Sequence, residues 1–565
     1  KGYTYTLENG KVEETKLKND GVFDEKNNKY WATTKFTMPN IKEGCVIEFQ
    51  YRVESPFMRI HDVVLQYDIP IKKLEFEVKI PEYFNFNKVV NPKSTFYPKI
   101  VDSKVKRKER ITTKSRTGTK ISQTSFETDE WEFDENKTEV NLTNVPALKD
   151  ENHVRNIDDY RTKLIWEYAY YRGPRGDMKS YSTTWEKVSK TIYNYESFGN
   201  QLNKTSYFED DVNALINGVN NPIERASLIY NFVKSKVKWN DFYGYTSDEG
   251  VRKAYKEGVG NVADINLMLT AMLRYANLEA NPVLVSTINN GIPLFPTNEG
   301  FNYVISAIEY QNGYILLDAT DKYATANILP ERTLNWQGRL IREDGTSGWV
   351  SLMPSNPTKE IVYINAQIND DLSIDGKIRD QFFDYEAKKF RSKYNNLNEE
   401  QLIMSFEEDK GEVEISNIEI DSKNELTKPI RCSYEYKLYD AIEDIGGKLY
   451  FSPLLFFTPD ENPFKAEKRN FPIDFVYPRS DKFMINLAIP EGYEIESLPG
   501  NVKMEFNSDH GDFLYLAQPN GNFLQVTISL NLNRPLILAE DYAKFKEFFQ
   551  LMIEKQNEKI VLKKV

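Results

Sequence analysis

The feature that most restricts the architecture is a mid-chain run from Ala263 to Ala276. There Ile265, Leu267, Met268, Leu269, Ala271, Met272, Leu273 and Ala276 spread around nearly the whole circumference of a helix. A helix apolar on every side has no face for water, so other elements must wrap it at the centre of a domain. Upstream, Asn221-Pro222 pairs a cap with a first-turn proline and predicts a helix to about Lys236, with Ile223, Ala226, Tyr230, Val233 and Val237 as its buried stripe. Thr183-Thr184-Trp185-Glu186 fits a capping box for an earlier helix. Downstream, Pro282 to Ser286 reads as a strand, and Phe301 to Tyr310 with Tyr314 to Asp318 as a hairpin around Asn312-Gly313. A simple turn there pairs Asp318 with about Ala307. That position shares a face with Tyr303 but lies four residues along, so a bulge or wider turn is needed to bring the two together. The middle of the chain is α+β.

Both flanks read as β. Val46-Ile47-Glu48-Phe49-Gln50-Tyr51-Arg52-Val53-Glu54 alternates apolar with polar side chains, and Leu74, Phe76, Val78 and Ile80 repeat the period. Period two is the signature of a strand covered on one face. Pro39, Pro56, Pro70 and Pro81 fall between such runs, where a missing N–H does no harm. Tyr3 and Tyr5 already lie in a strand pattern, so the chain reads as starting inside this first domain, mature or trimmed at Lys1. Beyond Ser355 the alternation returns at Ile361-Tyr363 and Phe483-Ile485-Leu487, interrupted by helical patches at Tyr385 to Tyr394 and Glu400 to Glu408. An amphipathic helix from about Glu540 to Gln556, carrying Phe545, Phe548, Phe549 and Met552, closes the chain. At about 150 residues per domain, 565 residues allow three or four domains. The expected architecture is multidomain: a β-sandwich over 1–175, an α+β domain over 176–350, and a C-terminal β-sandwich with a terminal helix over 351–565.

Composition narrows the chemistry. An aromatic share of 13% argues against disorder. A net charge of −12 makes the chain a poor general binder of phosphate backbones, so no nucleic-acid partner is expected. No apolar run reaches the roughly 18 to 20 residues that span a bilayer. The cysteines are Cys45 and Cys432 and the histidines His61, His153 and His510, with no zinc-type spacing among them. Thiol catalysis would have to draw on those five residues, and nothing local supports a Cys45–Cys432 disulfide. No metal or cofactor is expected. The basic run from Lys104 to Lys120, with Lys106, Arg107, Lys108, Arg110, Lys114 and Arg116, reads as a solvated hairpin turning near Gly118, against an anion contact. Asp129, Glu130, Glu132, Asp134 and Glu135 read as a solvated strand face around Trp131 and Phe133, against a calcium site or acid pair. His61-Asp62 beside Arg59 has no nucleophile placed near it.

The segment Gly258-Val259-Gly260-Asn261-Val262-Ala263-Asp264-Ile265-Asn266 leads into the apolar helix. It begins a G-x-G-x-x-A, yet Val251 to Glu257 before it read as helix, which excludes the strand that a dinucleotide fingerprint requires. It resembles instead the catalytic helix of the transglutaminase-like superfamily. The resemblance continues through Leu273-Arg274-Tyr275-Ala276-Asn277-Leu278-Glu279-Ala280-Asn281-Pro282, Phe301-Asn302-Tyr303-Val304-Ile305, Leu317-Asp318-Ala319-Thr320 and Ile328-Leu329-Pro330. In that family a Cys at the helix N-terminus is the nucleophile, where the helix field lowers a thiol pKa. A His on a following strand is its base, and an acid on the next strand orients it.

The resemblance places the Cys position on Val262, the His position on Tyr303 and the acid on Asp318. Valine offers no nucleophile, and a phenol with a pKa of about 10 is a poor base at neutral pH. The degenerate triad implies a pseudoenzyme. Trp239, Tyr243, Asn261 and Asn302 are the candidate lining of a residual cleft, against plain core packing for the aromatics. Flanking motifs extend the resemblance. Phe36-Thr37-Met38-Pro39-Asn40-Ile41, Tyr67-Asp68-Ile69-Pro70 and Asn144-Val145-Pro146-Ala147-Leu148-Lys149 resemble an N-terminal domain of DUF3857 type. Asn462-Pro463-Phe464, Arg469-Asn470-Phe471-Pro472 and Pro490-Glu491-Gly492-Tyr493 resemble a C-terminal domain of DUF3858 type, both found in Bacteroidota envelope proteins. The resemblance implies a periplasmic or outer-membrane-associated protein that binds or scaffolds a polypeptide or cell-surface polymer. A hydrolase using other residues, peptidase or glycan-active, and a structural subunit of an envelope assembly stay open.

Overall fold

The computed structural model describes residues 1–26, 32–55, 60–117, 123–174, 176–180 and 184–565. Pro56, Arg59, Gly118, Lys120 and Thr183, used in the readings above, lie outside the described residues. The chain divides into two compact units, Lys1–Ile60 and His61–Val565.

In the first unit the strand Gly2–Glu8 pairs antiparallel with Lys11–Lys16 on one side and Val46–Phe49 on the other. The strand expected over residues 46–54 therefore stops at Phe49. Its alternation does not mark a covered face either, because Val46, Ile47, Phe49, Tyr51 and Val53 are all exposed. Period two specifies a pleat, whereas coverage depends on what packs against it.

The second unit opens with more β structure. Ile71–Pro81 pairs with Gln123–Val145, which pairs in turn with Ile100–Thr117, from Val140↔Ile100 to Gln123↔Thr117. Leu74, Phe76, Val78 and Ile80 face inward along the first of these strands, as their spacing predicts. The basic and acidic runs face each other across the other two: Lys106 and Lys108 pair with Glu132, Arg110 with Glu130, and Arg107 with Glu135. These pairs account for Lys106, Arg107, Lys108 and Arg110 of the basic run and for Glu130, Glu132 and Glu135 of the acidic one.

Helices precede an antiparallel sheet in the central region. Asn221 caps the helix Pro222–Lys236, its side chain accepting from Ile223 N and Glu224 N. Ala226, Ile229, Tyr230 and Val233 are buried, but Ile223 is exposed, since it sits in the first turn beyond the reach of the core. The earlier helix, Trp185–Tyr193, is capped by Thr184, whose side chain accepts from Lys187 N. Helix Val262–Tyr275 is buried continuously from Val262 to Leu273. It packs on the strands Ala280–Val285 and Tyr303–Tyr310 of a five-stranded sheet, whose order is 313–317, 303–310, 280–285, 337–341, 347–351.

The C-terminal region is built on an eight-stranded sheet, antiparallel except where Thr358–Ile368 runs parallel to Arg479–Ala488. Helices Asp384–Tyr394 and Glu399–Glu407 pack on it, and Phe545, Phe548, Phe549 and Met552 of helix Tyr542–Asn557 enter the same core. A further strand, Ile560–Lys564, follows that helix and joins a four-stranded sheet. Among the described residues, no helix is long and apolar enough to cross a membrane.

The linker after Val145 stitches these parts together. The Glu151 carboxylate accepts from the amides of Asn470 and Phe471, and Arg155 donates to the carbonyls of Leu334 and Glu331. Lys388 pairs with Asp321 at 2.8 Å, and Tyr385 stacks on Tyr477 at 4.5 Å.

Candidate functional site

The loop into the buried helix is fixed by two glycines and a cap. Helix Val251–Glu257 ends on Gly258, whose φ of 71° is the left-handed conformation that closes a helix C-terminus with little cost. A Cβ on Gly260 would stand 2.8 Å from Asp264 Cβ and 3.0 Å from Ala254 Cβ, so a larger residue would push the loop off its neighbours. Val259–Gly260 forms a two-residue parallel bridge with Lys238–Trp239. Asn261 then caps the helix: its side chain accepts from Asp264 N at 2.8 Å, and the Asp264 carboxylate accepts from Asn261 N at 3.0 Å.

Val262 is the first helical residue and is fully buried. Its N–H donates to the Phe242 carbonyl at 3.3 Å. Helix N-termini bind anions through free amides of this kind. Here the amides of Val262 and Asp264 are turned to protein acceptors, and the side chain at the head of the helix is hydrocarbon.

The strand pair brings Tyr303 and Asp318 together without a bulge. Its turn is made by Gln311 and Asn312, at φ 47° and 63°, and Gly313 is already paired with Tyr310. The turn therefore lies one residue earlier than Asn312-Gly313, which shifts every partner by two. Ser306 faces Leu317, so continuing the register sets Asp318 opposite Ile305, two residues from Tyr303 rather than four. Diagonal neighbours on one face are within reach of an aromatic side chain.

The contact is made. Tyr303 Oη donates to Asp318 Oδ2 at 2.8 Å. Asp318 Oδ1 accepts from Asn266 Nδ2 at 3.0 Å, from Thr320 N at 3.0 Å and from Thr320 Oγ1 at 2.7 Å. Asn266 also donates to Val304 O and accepts from Ala319 N, so one helix side chain is bonded to the first strand and to the segment just past the second. Arg332 completes the group, donating from Nε to Tyr303 Oη at 3.1 Å and from Nη2 to Thr320 Oγ1 at 2.6 Å. Tyr230 Oη reaches the Asp318 carbonyl at 2.9 Å.

A layer of aromatic and guanidinium groups covers this network. The Arg332 guanidinium lies 4.3 Å from the Trp239 ring centroid and 5.6 Å from that of Tyr303. Tyr243 packs on Tyr303 at 5.8 Å and on Trp239 at 5.5 Å. Val262, Tyr303 and Asp318 are each 0% exposed. Burial, reinforced by the Asp318 carboxylate, pushes the Tyr303 phenol well above its ordinary pKa of 10. A phenol held neutral, donating to one carboxylate and covered by a cation, has no capacity to take a proton from a nucleophile. What the arrangement does is pin the helix to the sheet, through Asn266, Asp318 and Tyr303.

The predicted lining divides. Tyr243, 48% exposed, packs on Tyr303, and Trp239 packs on Tyr243 and beneath Arg332. Asn261 spends its side chain on the cap and on Thr246 O. Asn302 is bonded to Thr287 through both its amide oxygen and its amide nitrogen. Sequence reasoning missed Arg332 and the role of Asn266. Asn266 carried a signal, a polar residue on an all-apolar helix that must find a buried partner. Arg332 carried none beyond lying two residues after Ile328-Leu329-Pro330. Elsewhere, Cys45 and Cys432 are both free thiols, Asp62 pairs with Lys163, and no metal-binding group of His, Cys, Asp and Glu exists among the described residues.

Residues 210–323 match the transglutaminase-like superfamily. The match spans the buried helix and reaches past Val262, Tyr303 and Asp318, so the central region is transglutaminase-like. Residues 447–562 match a domain of unknown function, DUF3858. A crystal structure of a protease candidate from Parabacteroides distasonis is similar over 99% of this chain and 88% of that chain, with a TM-score of 0.56 and 11% identity. At that identity the likeness is one of fold. A cysteine protease candidate from Cytophaga hutchinsonii is matched over 46% of this chain and 74% of that chain, at 11% identity and a TM-score of 0.18, and carries no argument. No curated protein matches the chain. The architecture is thus multidomain: N-terminal β sheets, an α+β transglutaminase-like region, and a C-terminal β domain that includes DUF3858.

Proposed function

We propose that this chain is a noncatalytic transglutaminase-like protein of the bacterial cell envelope, periplasmic or outer-membrane associated, that binds or scaffolds a polypeptide or cell-surface polymer. In this reading residues 1–175 are a DUF3857-like domain, 176–350 the degenerate transglutaminase-like domain and 351–565 the DUF3858-like domain. The observation that carries it is the state of the three positions where chemistry would occur. Val262 has no nucleophilic atom, Tyr303 is a neutral donor, and solvent reaches neither, nor Asp318. Retention of the fold without the thiol follows from what holds it. The helix is anchored by its apolar circumference and by Asn266, neither of which needs a reactive group at Val262. Half-exposed Phe242 and Tyr243 beside the covered site support a surface role.

Incubation of the full chain with peptide, amide and glycan panels tests this, with Asp318→Asn as the comparison. The expected result is no turnover above buffer by either protein. Turnover by the wild type that Asp318→Asn abolishes would defeat the proposal. Pull-down from native membranes followed by mass spectrometry separates a free ligand binder from an assembly subunit, because only the latter brings down stoichiometric partners.

A further inference from the structure

The C-terminal domain contains a second constellation, unrelated to the central site. Phe406 lies on helix Glu399–Glu407, Tyr434 on strand Ile430–Leu438, and Phe456 and Phe457 on the 3-10 turn Leu455–Phe457. Their ring centroids lie 5.6, 5.8, 5.4 and 5.7 Å from Lys410 Nζ. Within about 6 Å the negative face of each ring attracts a cation, so these rings form a box around an ammonium.

One buried carboxyl group lies on the same face of the sheet as the box. Asp380 is paired with Cys432 across adjacent strands, which places it on the face of Tyr434, one step along. It is 7% exposed, and its Oδ1 has no hydrogen-bond partner among the described residues. Burial drives the Asp380 pKa well above the ordinary carboxylate range, Glu360 adds to the rise, and the Lys410 ammonium opposes it. A buried carboxyl oxygen without a hydrogen bond is costly, and the compensation this site offers is a cation held in the rings.

Lys410 enters the box from outside the regular elements. It follows the helix in a turn, between Asp409 at φ 60° and Gly411 at φ 74°, and is only half-buried. Its four-carbon stem can rotate the ammonium into water while the backbone stays in place.

We infer that this box is a binding site for a small organic cation bearing an alkylammonium group, with Lys410 as a resident plug that the ligand displaces. The chemistry favours that class. The rings supply π faces, with one carboxyl group on their face of the sheet, a combination that attracts positive charge without demanding N–H donors. A metal ion would need several oxygen ligands, and the three Phe rings supply none, leaving only the Tyr434 hydroxyl and the Asp380 carboxyl among the side chains named. Competition by Lys410 lowers the apparent affinity by the fraction of time the box stands open.

Tetramethylammonium is the probe, used on the full chain. In the wild type, acylation of Lys410 by a water-soluble amine reagent, followed by peptide mass mapping, should rise as tetramethylammonium is added, with other lysines unchanged. Calorimetric titration should show binding to Lys410→Ala tighter than to the wild type by at least about tenfold, and Asp380→Asn in that background should remove the gain. Lys410 labelling that does not respond to tetramethylammonium overturns the inference, as does a Lys410→Ala variant that gains no affinity. The labelling experiment needs no substitution, so it decides the matter even where a variant fails to fold.

Discussion

Replacing Tyr303 by Phe removes one oxygen and leaves the ring in place. That oxygen donates to Asp318 Oδ2, accepts from Arg332 Nε and lies 2.8 Å from Thr320 Oγ1. Asp318 Oδ1 keeps its three donors and Arg332 keeps its bond to Thr320, so the damage is confined to an orphaned carboxylate oxygen and one lost charge-assisted bond. Hydrogen bonds to charged groups contribute about 1.5–3 kcal/mol, and a buried acceptor left unmade sits toward the upper part of that range. We expect Tyr303→Phe to lower the opening free energy of the Val262–Tyr275 helix by about 2–3 kcal/mol. Native-state hydrogen exchange on the amides of that helix reads this locally, without assuming that a multidomain chain unfolds in one step. Asp318→Asn should be non-additive with Tyr303→Phe by more than about 1 kcal/mol, since the two remove the same bond. A cost for Tyr303→Phe below about 0.5 kcal/mol, or full additivity of the pair, would refute the claim that these residues form a covered polar core.

Further outcomes follow from the same geometry. Asn261→Ala loses both the cap to Asp264 N and the bond to Thr246 O, and should destabilise the same helix by about 1–2 kcal/mol in the same exchange experiment. Burial, with repulsion from Asp481, raises the Glu360 pKa to about 7. The folded state then holds a proton that the unfolded chain, with a Glu pKa of about 4.3, releases. Its contribution is present below about pH 4.3 and lost as pH rises to about 7, so Glu360→Gln should flatten that part of the melting temperature profile; identical slopes would contradict it. Gly376→Ala would set a Cβ 2.2 Å from Asn365 O and 2.5 Å from Tyr436 Oη. The sheet would have to open there, and a loss of about 1–3 kcal/mol is expected in chemical unfolding.

The legible and illegible parts of this structure differ in physical kind. The capped start of helix Pro222–Lys236 was open to reading because Asn and Pro act within one turn. The all-round apolar helix was open to reading because its composition leaves only one environment for it. The register of the strand pair was not. Asn-Gly is the usual residue pair for such a turn, and placing Gln311 in a left-handed conformation runs against local preference. The closer approach of Tyr303 to Asp318 therefore rests on tertiary context. Coverage of a strand is equally non-local: the segment at Val46 to Phe49 alternates yet is exposed throughout. Arg332 reaches Tyr303 across 29 residues of chain from a short 3-10 turn, and no spacing rule connects them.

Thiol access at the head of the buried helix probes the central claim most directly. Val262→Cys puts a sulfur at the position that the resemblance assigns to the family's nucleophile, in a chain that supplies its own references. Cys45 is partly exposed, while Cys432 is buried with its pKa pushed up to about 12. Alkylation with iodoacetamide and peptide mass mapping should find the introduced thiol as inert as Cys432 in the folded protein, and as reactive as Cys45 after denaturation. Labelling of the introduced thiol faster than Cys45 in the folded protein would show an open, activating helix terminus and contradict the account.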